Sequence, residues 1–164
     1  MSKQSTAKPA VEPAENQAAP AFSGTTTDGQ HLSMADLKGA PLVLYFYPRD
    51  NTPGCTTEAR DFEARLADFE SAGARVIGVS NDDAASHRKF CDKQGLSFPL
   101  IADTDRSVSS AFNVLRMKNM FGKRFEGIER STFLIDADGV IRRAWRKVKV
   151  PGHVDEVLEA VKAL

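Results

Sequence analysis

"PLVLYFYPRDNTPGCTTEARDFEARL" (41–66) changes its periodicity once, and the fold turns on that change. Up to Pro48 the stretch is a continuous apolar run of aromatic and branched residues bounded by prolines, as expected of a strand buried on both faces. From Thr56 onward apolar residues recur at helical spacing instead, at Ala59, Phe62, Leu66 and Phe69, with charges between them and Gly73 as a stop. The pattern predicts a buried strand over 41–48 and an amphipathic helix over 56–72 lying on its sheet.

Outward from that pair the alternation continues. "ARVIGVS" (74–80) reads as a second buried strand, "DDAASHRKFCDKQG" (82–95) as a helix opened by acids and stopped by glycine, and "FPLIAD" (98–103) as a third strand. A short helix over 105–114 follows, then two strands in "STFLIDADGVIRRAWR" (131–146) joined at Asp138-Gly139. The closing helix (153–164) puts Val154, Val157, Leu158 and Val161 on one face. Upstream, Asp28-Gly29 marks a turn between short strands and Ser33 caps one helical turn ending at Gly39. This order predicts an α/β, thioredoxin-like fold: a central mixed β-sheet flanked by helices on both faces.

The chain has 164 residues, enough for one full domain and too few for two of ordinary size. Its 22 basic and 22 acidic residues cancel, which removes the electrostatic case for binding nucleic acid or an anionic membrane. No apolar run approaches the ~20 residues that span a bilayer. Residues 1–20, rich in Ala, Pro, Gln and Glu and without an apolar core, read as a flexible lead-in rather than an export signal, leaving 21–164 as the domain. Two cysteines without such a signal point to free thiols in a reducing, cytoplasmic setting. There is no C-x-x-C, and His31, His87 and His153 do not stand at metal-ligand spacing from Cys55 or Cys91, so no zinc site is expected.

Cys55 is one of those two. If the strand ends near Pro48, Thr52 becomes an N-cap, Pro53 takes the first helical position, and Cys55 falls in the first turn. Unpaired backbone N–H groups and the helix dipole stabilise an anion there, so the thiol is expected to titrate below its free value of ~8.5 as the nucleophilic thiolate. Thr52, three residues earlier, stands where its hydroxyl is expected to reach the sulfur. Position alone leaves another reading open, in which Thr52 only caps and Cys55 only packs.

Pro48-x-x-x-Thr52-x-x-Cys55, within "LYFYPRDNTPGCTTEA" (44–59), resembles the active-site motif of the peroxiredoxins, most closely the peroxiredoxin Q or bacterioferritin comigratory protein group. "ERSTFLID" (129–136) resembles that family's second signature. The resemblance implies a thiol peroxidase acting on hydrogen peroxide and alkyl hydroperoxides, with no metal or organic cofactor. It makes Cys55 the peroxidatic nucleophile, Pro48 a shield of the pocket, Thr52 a peroxide ligand, Arg130 the partner of thiolate and substrate, and Glu58 a supporting acid that orients an arginine. Such donors suit the chemistry, because charge moves from sulfur across the O–O bond and fixed donors can follow it with little reorganisation. Phe46, Met120, Phe121 and Phe125 either shape the pocket or belong to the core. The basic run 142–149 reads as an exposed strand face without a function.

Attack leaves a sulfenic acid, which a second thiol must capture before further oxidation. Many members of the group carry that thiol five residues after the first, where this chain has Arg60. Cys91 stands 36 positions after Cys55 (91 − 55), and the resemblance implies a Cys55–Cys91 disulfide, an atypical two-cysteine enzyme, and recycling by thioredoxin or glutaredoxin. The alternatives are a structural Cys91 with an external resolving thiol, and a peroxide sensor that oxidises a client protein. Bridged Cα atoms must lie within ~7 Å. Two helices on one sheet are expected to exceed that, so local unwinding would precede the bond. The group resemblance also implies a monomer.

Overall fold

The computed structural model describes residues 11–164. Strands β1 (Ser23–Thr25) and β2 (His31–Ser33) pair antiparallel around the Asp28-Gly29 turn and lead into α1 (Met34–Leu37). Ser33 caps that helix reciprocally: its hydroxyl accepts the Asp36 N–H while Asp36 accepts the Ser33 N–H. Then come β3 (Leu42–Phe46), α2 (Pro53–Ala64), α3 (Leu66–Ser71), β4 (Arg75–Ser80), α4 (Ala84–Gln94), β5 (Leu100–Ala102) and α5 (Ser107–Ala111). The chain finishes with β6 (Leu115–Met120), β7 (Lys123–Ile128), β8 (Ser131–Ile135), β9 (Ile141–Arg146) and α6 (His153–Lys162).

The central sheet runs β5-β4-β3-β8-β9, with β3, β4 and β5 parallel and β8 and β9 antiparallel to their neighbours. Every residue of β3 is buried, because helices cover both sides of it. Strand periodicity divides its side chains between two cores. Val43, Tyr45 and Tyr47 join the apolar faces of α2, α3, α4 and α6, whereas Leu42, Leu44 and Phe46 join α1, α5 and Phe22. Each fully buried Phe or Leu contributes about 1.5–3 kcal/mol of hydrophobic stabilisation, so α2 is held chiefly by Phe62, whose ring stacks 4.5 Å from that of Tyr45. This is the mixed sheet flanked by helices that the element order predicts.

Two local features depart from the sequence reading. The helix expected over 56–72 is broken at Arg65 (φ −106°, ψ 4°), whose N–H turns back to the Phe62 carbonyl at 3.2 Å, so α2 ends there and α3 begins at Leu66. The β6–β7 hairpin has no counterpart in the sequence reading. Its turn places Phe121 (φ 52°) and Gly122 (φ 76°) in left-handed conformations, a geometry that favours Asn-Gly, and a phenylalanine there conceals the signal. Of the lead-in over 1–20, the first ten residues lie outside the described ones. Beyond them, Asn16 and Ala19 donate to the carbonyls of Ile141 and Gly139 at 2.7 and 2.8 Å, alongside the start of β9.

Candidate active site

Cys55 is the third residue of α2, after Pro53 and Gly54, and only 1% of it is exposed. The Thr56 N–H makes the first helical bond, to the Thr52 carbonyl at 2.9 Å. The N–H groups of Gly54 and Cys55 are therefore left without intrahelical partners at the end of the helix that favours an anion. Thr52 holds the N-cap position through its extended backbone (φ −84°, ψ 152°), but its side chain neither caps the helix nor reaches the sulfur. Asn51 reverses the chain in a left-handed conformation (φ 63°), and the Thr52 hydroxyl donates instead to the Arg49 carbonyl at 3.0 Å. The expected Thr52–sulfur contact is absent among the described residues.

Arg130, just before β8, forms the other half of the site. Its Nη2 donates to Cys55 Sγ at 3.4 Å and its Nη1 to Glu58 Oε1 at 2.7 Å. Glu58 lies three residues after Cys55 on the same buried face of α2, so a single carboxylate aims the guanidinium at the sulfur. Gly54 eases the approach: a Cβ there would stand 3.1 Å from Nη2, close enough to push the guanidinium by a few tenths of an ångström. Burial alone would discourage the charge on Arg130, but Glu58 and Cys55 outweigh it and hold the guanidinium protonated.

Glu58 is fully buried, and its second oxygen, Oε2, has no partner among the described residues. Burial pushes its carboxyl up to about 7 despite the opposing charge of Arg130, with Asp61 adding to the rise. Because this folded value exceeds the ordinary 4.5, the folded state holds an extra proton between the two. That contribution to stability is complete below 4.5 and is lost as pH rises through about 7. Urea unfolding at about pH 5 and about pH 7.5 checks the sign: relative to wild type, Glu58→Gln should gain stability as pH rises, and a pH-independent difference would contradict it.

Pro48 is half-buried where the chain leaves β3. Met120, Phe121 and Phe125 are exposed on the β6–β7 hairpin, by 56%, 96% and 41%. Phe46 is not a pocket residue: strand alternation points it to the opposite core, against Phe112 and Phe133. Lys118 carries no signal in the sequence pattern. This side chain donates to the Ile128 carbonyl at 2.6 Å, and burial and the neighbouring Arg130 lower its pKa against the opposing influence of Cys55. It thus brings a second cation to the site from a hairpin that the sequence pattern did not reveal.

Cys91 lies in the second half of α4, half-buried against the same core as Cys55, and both thiols are free. Burial, then Asp50, Asp92 and Glu63, push the Cys91 thiol up to about 11. It is a protonated thiol at neutral pH, unlike a primary nucleophile.

A family model described as AhpC/TSA family matches residues 16–144. The chain is 57% identical over 135 residues to Peroxiredoxin Bcp of Xanthomonas campestris pv. campestris, covering 82% of this chain and 84% of that one. It is similar to the solved Xanthomonas campestris peroxiredoxin Q, with TM-score 0.82, 51% identity, and 87% and 90% of the two chains covered. Cysteine-to-serine mutants of that protein have been solved at positions 48 and 84 of its own chain. A further structure, of the Xanthomonas campestris bacterioferritin comigratory protein, concerns alkyl peroxide reduction; it matches with TM-score 0.82 and 49% identity over 87% of this chain and 90% of its own.

Proposed function

This chain belongs to the AhpC/TSA family and is a thiol peroxidase of its peroxiredoxin Q/Bcp group, and from that premise we propose that Cys55 is the peroxidatic residue and Cys91 the resolving one. The Cys55 thiolate attacks one peroxide oxygen. An S–O bond forms, the O–O bond breaks, and the other oxygen leaves as water or an alcohol once protonated. Arg130 stays on the sulfur and meets the substrate oxygens, held there by Glu58. Pro48 shields the sulfur from water, and Thr52 meets the peroxide once its hydroxyl swings off the Arg49 carbonyl.

Resolution follows when the Cys91 sulfur displaces hydroxide from the sulfenic acid. The S–S bond forms, the S–O bond breaks, and the Cys91 proton departs with the oxygen as water. A dithiol then reduces the disulfide and is itself oxidised; thioredoxin is the reductant in this reading, with glutaredoxin the alternative. The spacing of the replaced cysteines in the Xanthomonas protein, 36 positions (84 − 48), equals that of Cys55 and Cys91 and supports the pairing. Substrates are hydrogen peroxide and alkyl hydroperoxides, whose hydrocarbon chains find an apolar platform at Met120, Phe121 and Phe125. The enzyme acts as a monomer, in the cytoplasm, through the single domain over 21–164. No helix among the described residues is long and apolar enough to cross a membrane.

The Arg130 bond to the Cys55 sulfur carries this reading. Mass spectrometry after one equivalent of peroxide should find a 55–91 linkage and the loss of two hydrogens. In a thioredoxin, thioredoxin reductase and NADPH assay, Cys91→Ser should lower turnover about 10²-fold, the advantage of a tethered over a free thiol. Turnover at the wild-type rate in Cys91→Ser would overturn the resolving role.

A further inference from the structure

The two reacting cysteines sit on separate elements, and a buried polar cluster ties those elements together. Asp50 lies in the turn between β3 and α2, five residues before Cys55, and is 5% exposed. Its Oδ1 accepts the Tyr47 hydroxyl at 2.6 Å. Its Oδ2 accepts the Ser86 hydroxyl at 2.8 Å and faces His87 Nδ1 at 2.7 Å, both from the first turns of α4. The Asp50 N–H donates to Asp82 Oδ2 at 2.8 Å, and Ser80 Oγ donates to the same oxygen at 2.7 Å. His87 is fully buried and stands one helical turn before Cys91 on the same face of α4.

Hydrogen bookkeeping assigns the charges. His87 Nε2 faces the Ile101 carbonyl at 3.0 Å, which can only accept, so that nitrogen carries a proton. Burial opposes charge on Asp50, yet the bonds from His87, Tyr47 and Ser86 hold its carboxyl below the ordinary value, so it is an ionised acceptor. His87 Nδ1 must then carry a proton as well, and the cluster is an imidazolium–carboxylate pair. The same three groups, Asp50, Asp82 and His87, lie close enough together to offer ligands to a metal. With both imidazole nitrogens donating and Asp82 Oδ2 already accepting two bonds, the cluster has little to offer a cation.

We propose that Asp50 and His87 are positioning residues for resolution, a buried latch that holds the helix bearing Cys91 to the loop ahead of Cys55 and so limits how fast the disulfide forms. The inference rests on the reading of Cys91 as the resolving thiol. Cys55 is buried on α2 and Cys91 half-buried on α4, against the same core, so bringing the two sulfurs to bonding distance is expected to displace local structure. A desolvated ion pair across the two segments resists that displacement, because separating it leaves charges buried without partners. The delay keeps Cys55 in its site, beside Arg130, until peroxide has reacted. Beyond α4, Glu63 accepts both the N–H and the hydroxyl of Ser97 at 2.6 and 2.8 Å, so the Cys91 segment is also held on its other side, by an exposed tie.

Asp50→Asn separates charge from shape. The amide can donate to a neutral His87 and still accept from Tyr47, so the contact survives while the ion pair is lost. In rapid-quench experiments with one equivalent of peroxide, trapped sulfenic acid and linked 55–91 peptide are counted against time. Asp50→Asn should form sulfenic acid at the wild-type rate and the disulfide about tenfold faster, and inactivation by excess peroxide should need correspondingly more peroxide. Ser86→Ala removes one bond of the latch while keeping the Asp50 charge that raises the Cys91 thiol, and should accelerate linkage about twofold; it serves as the test if Asp50→Asn does not fold. Acceleration in Asp50→Asn with Ser86→Ala at the wild-type rate would reflect easier ionisation of Cys91 and overturn the latch. A wild type that never links the two cysteines overturns the role of Cys91 and this inference with it. Normal linkage in the wild type, with the folded variants linking at the same rate or more slowly, overturns the latch alone.

Discussion

Serine in place of Cys55 is expected to abolish peroxide consumption while leaving the fold intact. The reaction needs an anion that can attack oxygen, and a serine hydroxyl does not ionise at neutral pH, however many donors surround it. The site itself should survive. Arg130 Nη2 keeps an oxygen acceptor where it now meets sulfur at 3.4 Å, and Glu58 keeps its 2.7 Å bond to Nη1. With the hydroxyl thus satisfied in a position that is 1% exposed, the loss of stability should stay near ~1 kcal/mol. Peroxide disappearance in the thioredoxin-coupled assay, paired with a thermal melt, reads both quantities. Consumption persisting in a folded Cys55→Ser protein would move the chemistry to another residue.

Arg130→Met carries the second largest effect, and it separates catalysis from stability. Methionine fills much of the same space but offers no donor to the sulfur, so the rate of sulfenic acid formation should fall about 10²–10³-fold, as when a fixed transition-state donor is removed. The substitution also strips Glu58 of its only side-chain partner among the described residues. Arg130 and Glu58 are 16% and 0% exposed, and breaking such a pair from one side costs about 3–5 kcal/mol. That cost should lie at the low end below about pH 7, where burial has already raised the Glu58 carboxyl and a proton can replace the lost cation. Adding Glu58→Gln to Arg130→Met should restore most of the stability and none of the rate. Recovery of peroxidase activity in the double variant would mean that Arg130 serves only to satisfy Glu58, and not the sulfur.

Both predictions depend on residues that the sequence makes visible to different degrees. Cys55 can be found in one dimension, since Pro48, Thr52, Pro53 and Cys55 lie within eight positions and a helix start has local signals. The pairing of Arg130 with Glu58 spans 72 positions and follows only by analogy with a family, because β8 must lie beside β3 before the two side chains can meet. Lys118 was invisible, for its hairpin turns on a phenylalanine where a turn is expected to carry Asn or Gly. Thr52 marks the limit of local reasoning. Its position predicts a cap and a contact with sulfur, but the left-handed Asn51 gives its hydroxyl a nearer acceptor.

By itself, then, the order of apolar periods determined an α/β chain with a cysteine at a helix start, because strand, helix and cap are written in neighbouring residues. The tertiary structure decided what that thiol faces. Whether a guanidinium, a buried carboxylate or a second cysteine's helix stands beside Cys55 depends on which strands become neighbours and which side chains alternation sends to each face, and residues tens of positions apart settle that only when the sheet closes.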